Sequence, residues 1–291
     1  MQTAELDPLA PAPRGSWSGH GVQVRRRRAA HRSHPERDTV CTPRFCVARR
    51  GRLLSVDHDL RPDELSDELA VLLAGELVDT GLIRGRHEFE LVFTGVVRST
   101  VEGGLESWLR FYRNSTSRLE NGTTAFAPIH AWAADQVRGR QVLDLGSCFG
   151  FFPLRLARQG ITVLATDLSA PVLHLLDRVS DQMRRPVGTL VCDAADVPMP
   201  DRCADTVTAL HLIEHLPTAA TDGVLDEAVR LARRRVVVAV PFEQQPSECY
   251  GHVQCFDLSR LQDTARRLLR RHPGLTAKVH ELHGGWLILD R

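Results

Sequence analysis

Beyond about Phe126 the chain alternates short β-rich runs with amphipathic segments, and this rhythm restricts its fold more than any other feature. The runs are "QVLDLG" (141–146), "ITVLATD" (161–167), "GTLVCDA" (188–194), "ADTVTALHL" (204–212) and "RRVVVAVP" (234–241). Between them, "FFPLRLARQ" and "SAPVLHLLDRVSDQM" have helical period, the second opened by Ser169 at the N-cap with Pro171 just inside. Such alternation predicts a parallel sheet with helices on both faces. After the helical "CFDLSRLQDTARRLLRR" two closing strands, "LTAKVHEL" and "GWLILD", are joined by His283-Gly284-Gly285, a turn short enough for an antiparallel hairpin.

The N-terminal part reads differently. Residues 1–55 are rich in Pro, Gly, Ser and Arg without a sustained apolar period, which predicts a flexible tail. Residues 56–125 read as a helical region and a possible substrate lid. Leu65, Leu69, Leu72, Leu73 and Leu77 recur at helical spacing, and two further helices are split at Gly103-Gly104. Trp108, Phe111 and Tyr112 form an aromatic stripe of the kind that more often packs a core than lines a site.

Charge and cysteine usage exclude several classes. A formal net charge of +1 argues against a chain-wide nucleic-acid surface, and the one arginine run, Arg25 to Arg28, belongs to the tail. The basic residues are 36 arginines and a single lysine, Lys278, a bias that reads as codon usage rather than function. No run approaches the roughly 18 apolar residues of a membrane span, and no apolar signal segment opens the chain, so the cytoplasm is the expected location. Seven cysteines without a Cys-x-x-Cys pair point to reduced thiols rather than a disulfide framework or a cysteine zinc site.

In parallel sheets ligands bind at the carboxyl ends of strands. The first strand ends in "LDLGSCFGFF", which places Asp144, Gly146, Ser147, Cys148 and Gly150 between a strand and a helix. A dinucleotide Gly-x-Gly-x-x-Gly fingerprint would need glycine where Cys148 and Phe151 stand, so that template fails. Glycines let the backbone approach a ligand, and the following helix N-terminus favours an anion. A tight turn without a ligand is the bland alternative. The second strand ends in Asp167, beside Leu168; the acid is placed either to hold ribose hydroxyls or to cap the next helix. The third ends in "CDAADVP", with Asp193 and Ala194.

The first of these loops resembles the Asp-x-Gly-x-Gly-x-Gly loop of class I S-adenosylmethionine-dependent methyltransferases, with Cys148 at the middle glycine. The resemblance covers about residues 126–291. It implies an α/β Rossmann-like fold with a seven-stranded sheet in order 3-2-1-4-5-7-6, strand 7 antiparallel, here with a helical N-terminal extension. It also implies S-adenosylmethionine as cofactor, contacted by Asp144, Gly146, Ser147, Cys148, Gly150, Asp167, Leu168, Asp193, Ala194 and His211.

"ALHLIEHLP" contains His211-x-x-Glu214-His215, an inverted zinc-protease spacing. That reading needs a continuous helix, whereas "ADTVTALHL" is a strand, so Glu214 and His215 fall in the turn after it. A similar Glu-His pair follows strand 4 at the active-site mouth of many class I methyltransferases. Transfer to a poorly acidic alcohol requires proton removal, and a histidine suits that role. The loop "VPFEQQPSECYGHVQCFD" adds Glu243, Tyr250 and His252 at the same end of the sheet. Two readings stay open. Either His215 is the base with Glu214 and His252 assisting and no metal, or His211, Glu214, His215 and His252 gather a divalent ion, as in RNA-end 2′-O-methyltransferases with a Glu-x-x-Glu-His core.

Several segments, among them "VLDLGSCFGFFPLRLA", "RRRVVVAVPFEQQPSECYGHVQCFDL" and "HGGWLILD", resemble the mycofactocin oligosaccharide methyltransferase family from about residue 60 onward. This implies 2-O-methylation of a glucose on a peptide-derived redox cofactor. The expected partner is therefore a glycosylated small-molecule or peptide-derived acceptor, with no membrane and no nucleic acid.

Overall fold

The computed structural model describes residues 6–27 and 38–291. Near the N-terminus, Val22, Val24, Phe45, Val47, Leu54 and Val56 are buried at alternate positions, while Gln23, Arg49 and Ser55 stay partly exposed. Burial with period two is what a sheet with one covered face requires. The strands are β1 (Ser16–Gly19), β2 (Val22–Arg26), β3 (Thr39–Cys41), β4 (Phe45–Arg50) and β5 (Leu53–His58), in the order β1-β2-β5-β4-β3. β2 and β5 pair in parallel and the other neighbours antiparallel.

Helices follow: α1 (Leu69–Leu73), running into a π-helical turn at Ala74–Val78, then α2 (Gly85–Thr100) and α3 (Gly104–Asn121). α2 lies on β1 and β2. It does so closely: a Cβ added at Gly95 would stand 2.3 Å from a methyl of Val24 and 2.9 Å from the Trp17 ring. Trp108, Phe111 and Tyr112 are buried, with edge-to-face ring contacts between Trp108 and Phe111 and between Phe111 and Tyr112, as the aromatic stripe predicts.

Two expectations are corrected here. The described part of the 1–55 stretch carries strands rather than a flexible tail, because outward arginines and short strands dilute an apolar alternation that α2 covers. The remainder of that stretch, 1–5 and 28–37, including Arg28 of the arginine run, lies outside the described residues. Cys41 and Cys46 form a disulfide rather than reduced thiols, since the β3–β4 register sets them directly opposite.

The second unit begins with α4 (Ala127–Gln136) and continues β6 (Gln141–Leu145), α5 (Phe151–Arg158), β7 (Thr162–Asp167), α6 (Ala170–Met183), β8 (Gly188–Val191) and β9 (Ala204–Leu210). It closes with α7 (Thr218–Leu231), β10 (Ala232–Val240), α8 (Leu258–Arg271), β11 (Thr276–Glu281) and β12 (Gly285–Asp290). The sheet runs β8-β7-β6-β9-β10-β12-β11, parallel except that β12 is antiparallel to both neighbours. Counted within the sheet this is 3-2-1-4-5-7-6. Alternate strand residues feed two cores: Leu143, Val236 and Val238 pack with Leu225 and Leu268 on one face, Val142 and Val237 with Ile129 and Phe152 on the other. The strands are therefore apolar runs rather than alternations, as expected of a sheet covered on both sides.

Contacts divide the chain into two compact units, one running to Arg118 and including Glu248–Tyr250, the other Leu119–Ser247 with Gly251–Arg291. Among the described residues no helix is long and apolar enough to cross a membrane.

Candidate active site

β6 lies between β7 and β9, so successive connections leave it in opposite directions and open a crevice at the carboxyl ends of the strands. Asp144, in the last turn of β6, is buried and accepts hydrogen bonds from Ser147 Oγ at 2.7 Å and from Thr208 Oγ1. Burial pushes its carboxyl up to about 6; the two hydroxyl donors pull it down, and the charge of Asp167 adds to the rise.

The loop after β6 curls because Gly146, Cys148 and Gly150 all take positive φ, at 66°, 48° and 68°. Cys148 thus adopts the left-handed backbone that glycine would take at this position of the resembled motif, a conformation uncommon for a side-chain-bearing residue. Gly146 and Gly150 have no room for a Cβ, which would fall 2.5 Å from Leu212 and 2.4 Å from Leu176. Three amides of the loop are held internally: Ser147 N–H by Thr166 O at 2.8 Å, Cys148 N–H by Asp167 Oδ2 at 2.9 Å, and Gly150 N–H by Ser147 O at 2.7 Å.

Asp167 ends β7 and holds backbone amides of two loops. Its Oδ1 accepts the Ser169 N–H at 2.9 Å and opens α6, while Oδ2 ties down the Cys148 amide. Each oxygen keeps a second lone pair for a ligand hydroxyl. Ser169 occupies the N-cap with a proline just inside, yet its own side chain makes no cap bond. Leu168 is well exposed beside the acid. At the end of β8, Asp193 is exposed and accepts the Ala195 N–H at 2.8 Å, with Ala194 half-buried next to it. The strand ends thus bring the expected cofactor-side residues to one edge of the sheet.

The other half of the crevice follows β9. His211 has φ 55° and is anchored by its N–H to Ala239 O at 2.9 Å. Its ring meets Phe126 edge-on with centroids 5.3 Å apart. His130 is half-buried, and desolvation, then Arg155 and His211, pushes its imidazole down to about 3, so it stays neutral.

Residues Ile213–His215 form a 3-10 turn rather than a continued helix, which removes the zinc-protease geometry. Glu214 is fully buried and neither carboxylate oxygen has a hydrogen-bond partner. His211 Nδ1 comes within 3.2 Å of its Oε1, an ion-pair distance that lacks hydrogen-bond geometry. His215 Nδ1 donates to Gly251 O at 3.2 Å. The rings of His215 and His252 stand edge-to-face, 4.8 Å apart. His252 Nδ1 donates to Glu243 Oε2 at 2.7 Å, and Ser247 Oγ donates to Glu243 Oε1 at 2.8 Å. Burial raises the Glu243 carboxyl, but the bonds from His252 and Ser247 outweigh it and hold the group below the usual carboxylate range. Tyr250 belongs to the other compact unit, where its ring stands edge-on to Phe89 with centroids 5.6 Å apart.

Three supporting residues escape a reading of the sequence. Thr208 holds Asp144 from a neighbouring strand. Phe126 flanks His211. Buried Gln254 reaches Ile213 O at 2.8 Å and Leu216 O at 2.6 Å with its amide nitrogen, and so clamps the turn that carries Glu214 and His215. Only Gln254 left a trace, as an amide in an otherwise cysteine- and aromatic-bearing loop.

A family model described as "Methyltransferase domain" matches residues 143–240, from β6 to the end of β10. Among curated proteins none matches the chain. A solved protein of Pyrococcus horikoshii is 16% identical, covering 61% of this chain and 91% of its own at a TM-score of 0.48. A SAM-dependent methyltransferase of Aquifex aeolicus is 14% identical, covering 60% and 96% at a TM-score of 0.45. Magnesium protoporphyrin IX methyltransferase of Synechocystis, solved with bound SAM, is 16% identical, covering 65% and 83% at a TM-score of 0.41. On the family match the chain carries a methyltransferase domain over residues 143–240 and is a methyltransferase.

Proposed function

We propose that the chain is an S-adenosylmethionine-dependent O-methyltransferase acting on a sugar hydroxyl, and that its acceptor is the 2-hydroxyl of a glucose in the oligosaccharide of mycofactocin. The methyl donor is S-adenosylmethionine, with Asp144 facing the ammonium group, Asp167 the ribose hydroxyls, and Asp193 with Ala194 the adenine edge. Buried Asp144 supports this part, because a carboxylate deprived of water gains most from a cation brought to it.

The observation that carries the acceptor side is the grouping of Glu214, His215 and His252 after β9 and β10, at the same end of the sheet as those acids. A sugar hydroxyl is too weak an acid to attack a sulfonium methyl group unaided, so the site must hold it in line and strip its proton. A nitrogen and carboxylate cluster supports that chemistry better than methylation of an already nucleophilic amine or thiol. The sugar and the position methylated follow from the family resemblance.

Incubation of the full chain with S-adenosylmethionine and glycosylated acceptors, read by mass spectrometry, tests the proposal. One added methyl on a hexose is the expected result; methylation only of non-sugar acceptors overturns the sugar assignment. His215→Ala is expected to lower kcat at least about 100-fold while donor binding, followed with S-adenosylhomocysteine, stays nearly unchanged. Full activity in that variant would remove His215 from the chemistry.

A further inference from the structure

The Glu214 carboxylate poses a problem that the fold alone does not solve. It is fully buried and neither oxygen is hydrogen-bonded, whereas the buried carboxylates Asp144 and Glu227 are well supplied with donors. A buried carboxylate without donors is costly, and native structures leave one only where something else satisfies it. His211 approaches one oxygen without hydrogen-bond geometry.

The surroundings show what would satisfy it. One ligand-type atom from each of Glu214, His215 and His252 lies within 4.8 Å of the other two. Ligand atoms sharing an ion at roughly 2.0–2.2 Å stand about 3–3.5 Å apart, so each pair, now within 4.8 Å, needs to close by no more than about 1.8 Å. Both imidazoles are already oriented. His215 donates Nδ1–H to the Gly251 carbonyl and His252 donates Nδ1–H to Glu243, which leaves Nε2 of each ring as the nitrogen bearing the lone pair. An imidazole whose far nitrogen is fixed by a carboxylate or a backbone carbonyl is the usual supporting arrangement of a metal-bound histidine. Glu243 is itself steadied by Ser247, and the turn bearing Glu214 is clamped by Gln254.

We propose that Glu214, His215 and His252 bind one divalent first-row transition ion, of the Zn2+, Mn2+ or Fe2+ class, with coordination positions left open for the acceptor oxygen. Two imidazoles in a set of three select against Mg2+ and Ca2+, which prefer oxygen. Three protein ligands also leave the site open, as catalytic rather than structural centres are. Glu243 is a positioning residue for His252.

What the ion does rests on the methyl-transfer reading above. An acceptor hydroxyl bound to it becomes more acidic and gives its proton to solvent. The oxygen lone pair forms the bond to the methyl carbon, the carbon–sulfur pair passes to sulfur, and S-adenosylhomocysteine leaves uncharged at that atom. His215 then serves as a ligand, and the base is water.

The full chain, stripped with chelator and dialysed, should be titrated with Co2+ while its visible d–d absorption is followed, and with Zn2+ by calorimetry. One ion per chain is expected, with the strong absorption of a low-coordinate cobalt site. Glu214→Gln and His252→Ala should each weaken binding at least about 100-fold, and Glu243→Gln about 10- to 100-fold. His174→Ala, an exposed histidine on α6, should leave the titration unchanged. Circular dichroism accompanies each variant; should Glu214→Gln fail to fold, His252→Ala and Glu243→Gln decide. Absence of saturable uptake, or uptake indifferent to both of those substitutions, overturns the proposal and leaves His211, 3.2 Å away, as the neighbour of Glu214. Binding of S-adenosylhomocysteine measured on the same samples separates the two readings, since metal uptake without nucleoside binding would sink methyl transfer alone.

Discussion

Asp144 couples the site to pH with a sign that differs between the free and loaded protein. In the free chain its carboxyl lies at about 6, above the ordinary value of 3.8, so the folded state holds a proton that the unfolded chain releases. The stability this contributes is fully present below about pH 4 and is lost as pH rises through about 6. We expect the melting temperature of the free chain to fall between pH 5 and pH 7.5 by the equivalent of about 1.4 kcal/mol, and Asp144→Asn to flatten that slope. Donor binding needs the charged form and should therefore weaken below about pH 6, which titration with S-adenosylhomocysteine at pH 5 and 7.5 would show. Asp167→Ala removes the acceptor of the Cys148 and Ser169 amides as well as the proposed ribose contact, so it should weaken donor binding more than Asp193→Ala, whose carboxylate accepts the Ala195 amide. At this scale the sequence was informative wherever a side chain ends a strand. It was silent on Thr208 and Gln254, whose partners lie 64 and 41 residues away and meet them only through the sheet and its loops.

At the level of elements, the parallel strands were visible because strands covered on both faces are apolar throughout, and their limits fall within a few residues of the runs quoted from the sequence. The strand order was not visible in periodicity; it came from the resemblance, since pattern says nothing of which strand neighbours which. β1 to β5 were missed for the opposite reason. Three to six residues long and edged with arginine, they show their alternation only once α2 is known to lie on β1 and β2. Gly95 records that cover. Gly95→Val should destabilise the N-terminal unit by about 2–3 kcal/mol, as the added carbons have Val24 and Trp17 in their way, and urea unfolding followed by tryptophan fluorescence would measure it. In the other unit, Gln254→Leu would strip Leu216 O of its side-chain donor and leave Ile213 O with the Leu216 amide alone, at a cost of about 1–3 kcal/mol. If the clamp matters to the chemistry, that variant should lose turnover beyond what its melting temperature explains.

For the molecule as a whole, ligand linkage is the most direct check. At 100 times its Kd, S-adenosylhomocysteine should stabilise the folded chain by about 2.7 kcal/mol. The protection should concentrate in amide exchange at residues 144–150, 167–169 and 193–195 and leave β1 to β5 nearly unchanged. Protection confined to the five-stranded sheet would place the nucleoside in the wrong unit. The seven-stranded sheet carries one further consequence. Its outermost strand, β11, bears the chain's single lysine, Lys278, exposed and paired in register with Ile288 of β12. A chain with 36 arginines and one side-chain amine is chemically addressable at one internal position. An amine-reactive fluorophore or resin would couple at that sheet edge, several strands from β6 and β7, and offers a tether that leaves the nucleoside crevice unblocked.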